Sequence, residues 1–204
     1  MAIRAVIWDM GGVLLRTEDY ASRERLAQRL GLSRSDLEKL VFWGESGSRA
    51  QLGEITIDQH WENLRQELNL SDQAMVDFKE DFWCGDRVDM KLVEYIRSLR
   101  SHYKTGLLSN AFSNLRQAIS EVWKFADAFD EMIISAEVGL VKPDDRIYCL
   151  ALERLGVSAE EAVFVDDFSS NIEGARLLNM RTIHFKNSQQ VLDELAQLLE
   201  GDQS

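Results

Sequence analysis

Apolar residues follow two rhythms along this chain. Short segments at 5–8, 104–108, 132–135, 162–165 and 182–185 read as strands, the clearest apolar runs being Ala5-Val6-Ile7-Trp8 and Val163-Phe164-Val165. Between the later runs the apolar positions recur at helical spacing, which predicts helices over 89–101, 112–123, 145–155, 171–178 and 190–199. Strands alternating with helices specify a parallel sheet covered on both faces. The expectation is a three-layer, Rossmann-like α/β core.

The stretch 16–87 breaks that alternation. Leu26, Leu30, Leu37, Leu40 and Val41, then Trp61, Leu64 and Leu68, recur at helix intervals, and Ser71-Asp72 is a helix start before Met75, Phe78 and Phe82. No convincing strand is visible there. A crossover between neighbouring strands needs only a dozen or more residues, so the excess reads as an inserted helical cap. The expected division is a core of 1–15 and 88–204 and a cap of 16–87, with a frayed polar tail over 200–204.

Chemistry concentrates where the strands end. The first run stops at Asp9, followed by Gly11 and Gly12; a carboxylate there, beside glycines that let the backbone turn, stands where an open α/β sheet places its ligands. Three later runs also end in polar residues: Leu107-Leu108 in Ser109-Asn110, the run to Val141 in Lys142-Pro143, and Val163-Phe164-Val165 in Asp166-Asp167. Strand ends of one parallel sheet converge, so four distant segments become one site. Alone, each is ordinary: Asp9 a turn residue, Asp166-Asp167 or Ser109-Asn110 a helix cap, Lys142 a solvated lysine. Together, they form a set. Asp9 reads as a nucleophile able to form an aspartyl-phosphate. Three crowded carboxylates repel unless a cation sits among them, and hard oxygen ligands with room for a phosphate suit Mg²⁺. Lys142 precedes the only proline, where average usage of about 5% would predict roughly ten; Pro143 restricts its backbone and aims the ammonium. Ser109-Asn110, at a strand-to-helix turn, offers a hydroxyl and free N–H groups to an anion.

Composition narrows the partners. A formal net charge of -12 over 204 residues argues against nucleic acid and anionic membrane, so any phosphate site must be locally positive. No segment approaches membrane-spanning length, and the first apolar run is broken by Asp9 and two glycines, unlike a signal peptide. Cys84 and Cys149 show no metal spacing and read as reduced, buried thiols of a cytoplasmic protein. His60, His102 and His184 read as packing or surface residues. The aromatics Phe42, Trp43, Trp61, Phe82 and Trp83 read mainly as cap core, with Trp43, Arg49 and Trp83 as candidates to face the site.

Asp9-Met10-Gly11-Gly12-Val13, Leu108-Ser109-Asn110, Val141-Lys142-Pro143 and Val165-Asp166-Asp167 resemble, in order and spacing, the four motifs of the haloacid dehalogenase superfamily of phosphatases. The resemblance spans almost the whole chain, including the helical cap. It is nearest to the branch of sugar-phosphate phosphatases and the phosphatase domain of soluble epoxide hydrolase, taking in Gly53-Glu54-Ile55-Thr56 and Asp167 through Asn171-Ile172-Glu173-Gly174-Ala175. It implies a Mg²⁺-dependent phosphatase of a small phosphorylated metabolite, such as a sugar phosphate, working as a monomer or homodimer. Asp9 becomes the nucleophile. Ser109, Lys142 and the backbone amides of Met10 and Asn110 bind phosphate. Asp9, the Gly11 carbonyl and Asp167 hold the metal, with Asp166 bound directly or through water.

One departure matters. Most family phosphatases carry a second aspartate two residues after the nucleophile, as acid/base for the leaving oxygen; here Gly11 stands in its place. Such a group is typically worth about 10²–10⁴-fold. Related members also carry glycine there, so activity is expected, on leaving groups that need little protonation. Two rivals remain: a dehalogenase whose aspartate attacks carbon, which needs no metal and leaves Asp166-Asp167 unexplained, and a phosphate-binding regulatory module with negligible turnover.

Overall fold

The computed structural model describes residues 2–200; the tail expected to fray, 200–204, lies outside it but for the backbone of residue 200. In chain order the strands are β1 (Ala5–Trp8), β2 (Leu15–Thr17), β3 (Asp86–Val88), β4 (Lys104–Ser109), β5 (Glu131–Ile134), β6 (Ala162–Asp166) and β7 (Arg181–His184). Five of them form one parallel sheet in the order β5-β4-β1-β6-β7. β1 lies at its centre, where the strand order reverses, and that switch point opens the crevice in which such sheets bind ligands.

Period two explains the central strand. Ala5 and Ile7 face one side, where they pack with Tyr148, Ala151 and Ile172; Val6 and Trp8 face the other, with Val93, Ile96 and Leu195. The helices are α6 (Met90–Leu99) and α11 (Ser188–Glu200) on the second face and α9 (Asp145–Leu155) and α10 (Ser169–Leu177) on the first. Both faces being covered, β1 carries no polar position until Asp9.

Between β2 and β3 lie α1 (Ala21–Arg29), α2 (Arg34–Trp43), α3 (Glu45–Gln51), α4 (Ile57–Glu67) and α5 (Asp72–Trp83); all but α3 contribute to a separate apolar cluster that includes Leu26, Leu37, Val41, Leu64 and Phe78. Their starts are written locally: Ser71 caps α5, and Thr56 and Gln59 form a reciprocal capping box on α4. The insertion touches the core closely. A Cβ on Gly53 would fall 2.1 Å from the Ala136 carbonyl oxygen. From the core, Phe112 enters the insertion's rings, 5.0 Å from His60 and 6.2 Å from Trp61 and from Phe42.

Four local expectations are corrected. The insertion is bounded by strands, since β2 and β3 pair antiparallel at Leu15–Val88, Arg16–Arg87 and Thr17–Asp86. The helix expected over 112–123 forms over 115–122 only, as α7 (Leu115–Gln117) running into a π-helical segment at Ala118–Val122, where Trp123 N–H donates to the Ala118 carbonyl at 2.9 Å. Its first turn is lost because Ala111 is held by Ser135 and Phe112 is drawn into the insertion. The run to Val141 is no strand: β5 stops at Ile134, α8 (Ser135–Val138) follows, and Gly139 ends it at φ 68°. Cys84 and Cys149 are exposed rather than buried.

His60 is the buried histidine of the insertion. Its Nδ1 lies 2.9 Å from the Ser46 hydroxyl, and its Nε2 has no partner among the described residues. Burial pushes its pKa down to about 4. The unfolded chain takes up that proton near pH 6.5, the folded chain only near 4, so stability present above this window is lost as pH falls through it, by about 3 kcal/mol. Urea unfolding near neutrality and near pH 4 should show His60→Phe losing less on acidification than the wild type by that amount. Parallel losses would mean the imidazole protonates freely within the fold.

Candidate active site

Strand register brings the chemistry together. Trp8 pairs with Leu107 on one side and Val165 on the other, so Asp9, Ser109 and Asp166 emerge along one edge of the sheet. The ladder continues one residue past β1, Asp9 N–H donating to Val165 at 2.9 Å, which fixes the carboxylate's base. The next amide, Met10 N–H, donates to Asp9 Oδ1 at 2.7 Å. The chain then turns at Gly12, whose φ of 79° suits glycine. A Cβ there would fall 2.2 Å from Asp167 Oδ2, whereas one on Gly11 meets nothing within 4 Å.

Lys142 arrives from the loop after α8 and is buried with the acids. Its Nζ donates to Asp9 Oδ1 at 2.8 Å and to Asp166 Oδ2 at 2.7 Å. Its backbone is clamped by the Asn110 amide, which accepts from Lys142 N–H at 2.8 Å and donates to Lys142 C=O at 2.9 Å. Asp166 is fully engaged: beyond the lysine it accepts from Phe168 N–H at 2.7 Å and from the Asn171 amide at 3.0 and 3.1 Å. Ser135 holds the loop after β4, its hydroxyl bonded to both N–H and C=O of Ala111.

Charge is not balanced here. Oxygens of Asp9, Asp166 and Asp167 lie within 4.8 Å of one another, facing the single ammonium of Lys142. Burial, reinforced by Asp166 and Asp167 and opposed by Lys142, pushes Asp9 up to about 7. Burial and then Asp166 push Asp167 up to about 6. Lys142 also loses hydration, but Asp9 and Asp166 outweigh that and hold its pKa above the ordinary value. Asp167 Oδ1 is buried with no partner among the described residues. An excess of carboxylate around an orphaned buried oxygen fits a divalent, oxygen-seeking cation, and Asp9 and Asp167 are its open donors. Asp166, with its lone pairs taken, fits a direct ligand less well.

Thus Asp9, Lys142, Ser109, Asn110, Asp166 and Asp167 gather at one edge, with Met10 and Gly11 on the turn beside them. The Asn110 side chain faces the Lys142 backbone, an arrangement the strand-end pattern did not foretell. Nor did it single out Ser135 and Asn171 as positioning residues. Asn171, five residues after Asp166 on the first turn of α10, offered a signal in that spacing; Ser135 offered none. His102 is exposed, and His184 lies with Nε2 2.9 Å from the Asp167 carbonyl oxygen.

A family model for haloacid dehalogenase-like hydrolases matches residues 3–179. The chain belongs to that family. Among relatives of this haloacid dehalogenase-like hydrolase, bifunctional epoxide hydrolase 2 of Sus scrofa is 29% identical, the match taking in 96% of this chain but 38% of that protein. A sesquiterpene phosphatase of Aspergillus oryzae is 28% identical, with 96% of each chain covered. Among solved structures, a family enzyme of Bacteroides thetaiotaomicron in complex with magnesium and inorganic phosphate superposes with a TM-score of 0.76 at 21% identity, covering 91% of this chain and 95% of that one.

Two glycines test the geometry. Gly12→Ala should destabilise the hydrolase by about 1–3 kcal/mol through backbone strain and the Asp167 clash, whereas Gly11→Ala should fold as the wild type does. Thermal unfolding of the two variants decides it, and equal melting temperatures would refute the close approach of Asp167 to Gly12.

Proposed function

We propose that this hydrolase is a Mg²⁺-dependent phosphatase of small phosphomonoesters working through an aspartyl-phosphate on Asp9. The observation that carries the reading is the buried Lys142 ammonium shared by Asp9 and Asp166, beside an Asp167 oxygen with no partner. A dehalogenase would use Asp9 and Lys142 but leave that oxygen without purpose. The Bacteroides enzyme of like fold, solved with magnesium and phosphate, supports the same choice.

In this reading Asp9, Asp167 and the Gly11 carbonyl would hold the ion, while Asp166 stays engaged with Lys142 and Asn171. Magnesium would offset the crowded charge and keep the phosphoryl group in line for attack. Lys142, the Ser109 hydroxyl and the amides of Met10 and Asn110 bind the phosphate oxygens. Asp9 attacks phosphorus, the bond to the alcohol oxygen breaks, and water then hydrolyses the phosphoaspartate. Asn110 and Asn171 keep Lys142 and Asp166 in place. Residues 16–87 serve as the cap that excludes bulk water and selects the alcohol. A sugar phosphate suits this scheme, because an anomeric oxygen needs little of the protonation that Gly11 fails to supply. Two exposed cysteines without a bridge suit a cytoplasmic setting. Among the described residues no helix is long and apolar enough to cross a membrane.

Para-nitrophenyl phosphate is the first substrate, since its leaving group needs no acid. Hydrolysis with Mg²⁺ should vanish with EDTA and in Asp9→Asn; turnover that survives both removes the proposal. Gly11→Asp, for which the structure leaves space, should raise kcat on alkyl phosphates by about 10-fold or more while changing the aryl ester little. A folded variant with no gain on alkyl esters would place the acid elsewhere.

A further inference from the structure

Four aromatic rings connect the two loops that flank Asp9. Phe168 directly follows Asp167, and its N–H is fixed on Asp166 at 2.7 Å. Its ring meets Trp43, at the end of α2, with centroids 6.1 Å apart. Trp43 meets Phe42 at 5.7 Å, and Phe42 stacks on Phe112 at 6.2 Å with planes 16° apart. Phe112 lies two residues beyond Asn110. The rings therefore form an arch that springs from the Asp166–Asp167 loop, crosses the insertion and lands on the Ser109–Asn110 loop.

Two of the four rings are open. Trp43 is 56% exposed and Phe168 47% exposed, while Phe112 is buried. Large aromatic surface left to water at the junction of insertion and metal-facing loop forgoes burial that the rest of the core obtains. None of the four side chains is ionisable, whereas the strand-end site carries the charges of Asp9, Asp166, Asp167 and Lys142. The two loops at the feet of the arch are the ones that carry Asp166–Asp167 and Ser109–Asn110, the groups assigned above to metal and phosphate.

We propose that Trp43 and Phe168 are specificity-determining residues that stack on the leaving group, so that the preferred substrate is a phosphomonoester of an uncharged alcohol with an apolar face. This inference rests on the phosphatase reading above and adds the substrate class. An aromatic or hydrocarbon ring and the C–H face of a sugar ring present the same chemistry to the arch. Alcohols carrying a second phosphate or a carboxylate do not, since the open rings bear no charge to pair with one and the strand-end acids repel it.

The test compares 2-phenylethyl phosphate, a hexose 6-phosphate and ethyl phosphate, all esters of primary alcohols, so that differences in kcat/KM report contact with the leaving group. At least one ring-bearing ester should exceed ethyl phosphate by about tenfold, and the one that does identifies the source of the apolar face. Trp43→Ala and Phe168→Ala should each lower that ratio severalfold, mainly through KM, with Trp43→Phe retaining most of it. A purely structural latch would reduce all three substrates alike and leave the ratio unchanged. Equal kcat/KM for the three esters in the wild type, or an unchanged ratio in both alanine variants, overturns the inference. Failure to hydrolyse any ester, para-nitrophenyl phosphate included, defeats the phosphatase reading instead. Binding then decides the arch: in Asp9→Asn, 2-phenylethyl phosphate should quench tryptophan fluorescence at lower concentration than ethyl phosphate, and equal midpoints overturn it.

Discussion

A buried ammonium is the constraint around which the site is organised. Removing Lys142 from water costs several kcal/mol unless it is closely paired, and the pairing must be geometrically good to offset that cost. The fold meets the requirement from both ends of the residue: Asn110 clamps the backbone, while Asp9 and Asp166 receive the Nζ. Asp166 is in turn held by Asn171 and the Phe168 amide. The loops after β1, β4, α8 and β6 are therefore interlocked, and displacing one strands a charge belonging to another. Such over-determination keeps reacting groups in place without help from the substrate.

The same arrangement leaves one carboxylate unaccounted for. Asp166 serves the lysine, Asp9 shares it, and Asp167, clustered with both, keeps a buried oxygen with no partner among the described residues. Adjacent in sequence, the two aspartates differ in their partners: Asp166 ends β6 with its oxygens taken by Lys142, the Phe168 amide and Asn171, while Asp167 lies on the turn beyond the strand with Oδ1 unpartnered among the described residues. On the loops beside this cluster the character changes to carbon, through the ring series Phe112, Phe42, Trp43 and Phe168. The charged groups thus sit at the sheet's edge, and the rings join core loops to the insertion.

Legibility followed the length scale of the physics. β1 and β6 were readable because strands buried on both faces give unbroken apolar runs, and the acids that follow them stand out by contrast. Helices α4, α5 and α9 were readable from spacing, α5 also from its Ser71 start. β2 and β3 were not: Leu15-Arg16-Thr17 and Asp86-Arg87-Val88 are short and polar, and what holds them is each other. Lys142 was correctly grouped with the acids but wrongly placed at a strand end, because Ser135–Val138 reads equally well as an extended run or a single helical turn. The roles of Ser135 and the Asn110 side chain are long-range hydrogen bonds, which leave no periodic trace.

The short ribbon of β2 and β3 bears on how such a protein changes over evolutionary time. Because Thr17 and Asp86 are neighbours across it, joined also by a 2.6 Å hydrogen bond, the chain leaves and re-enters the core through a single closed neck. Loop-closure entropy grows only slowly with the length enclosed. Everything beyond the neck can be lengthened, shortened or exchanged without shifting the register of the five-stranded sheet. A lineage can in this way acquire new appetites while its reactive centre stays still.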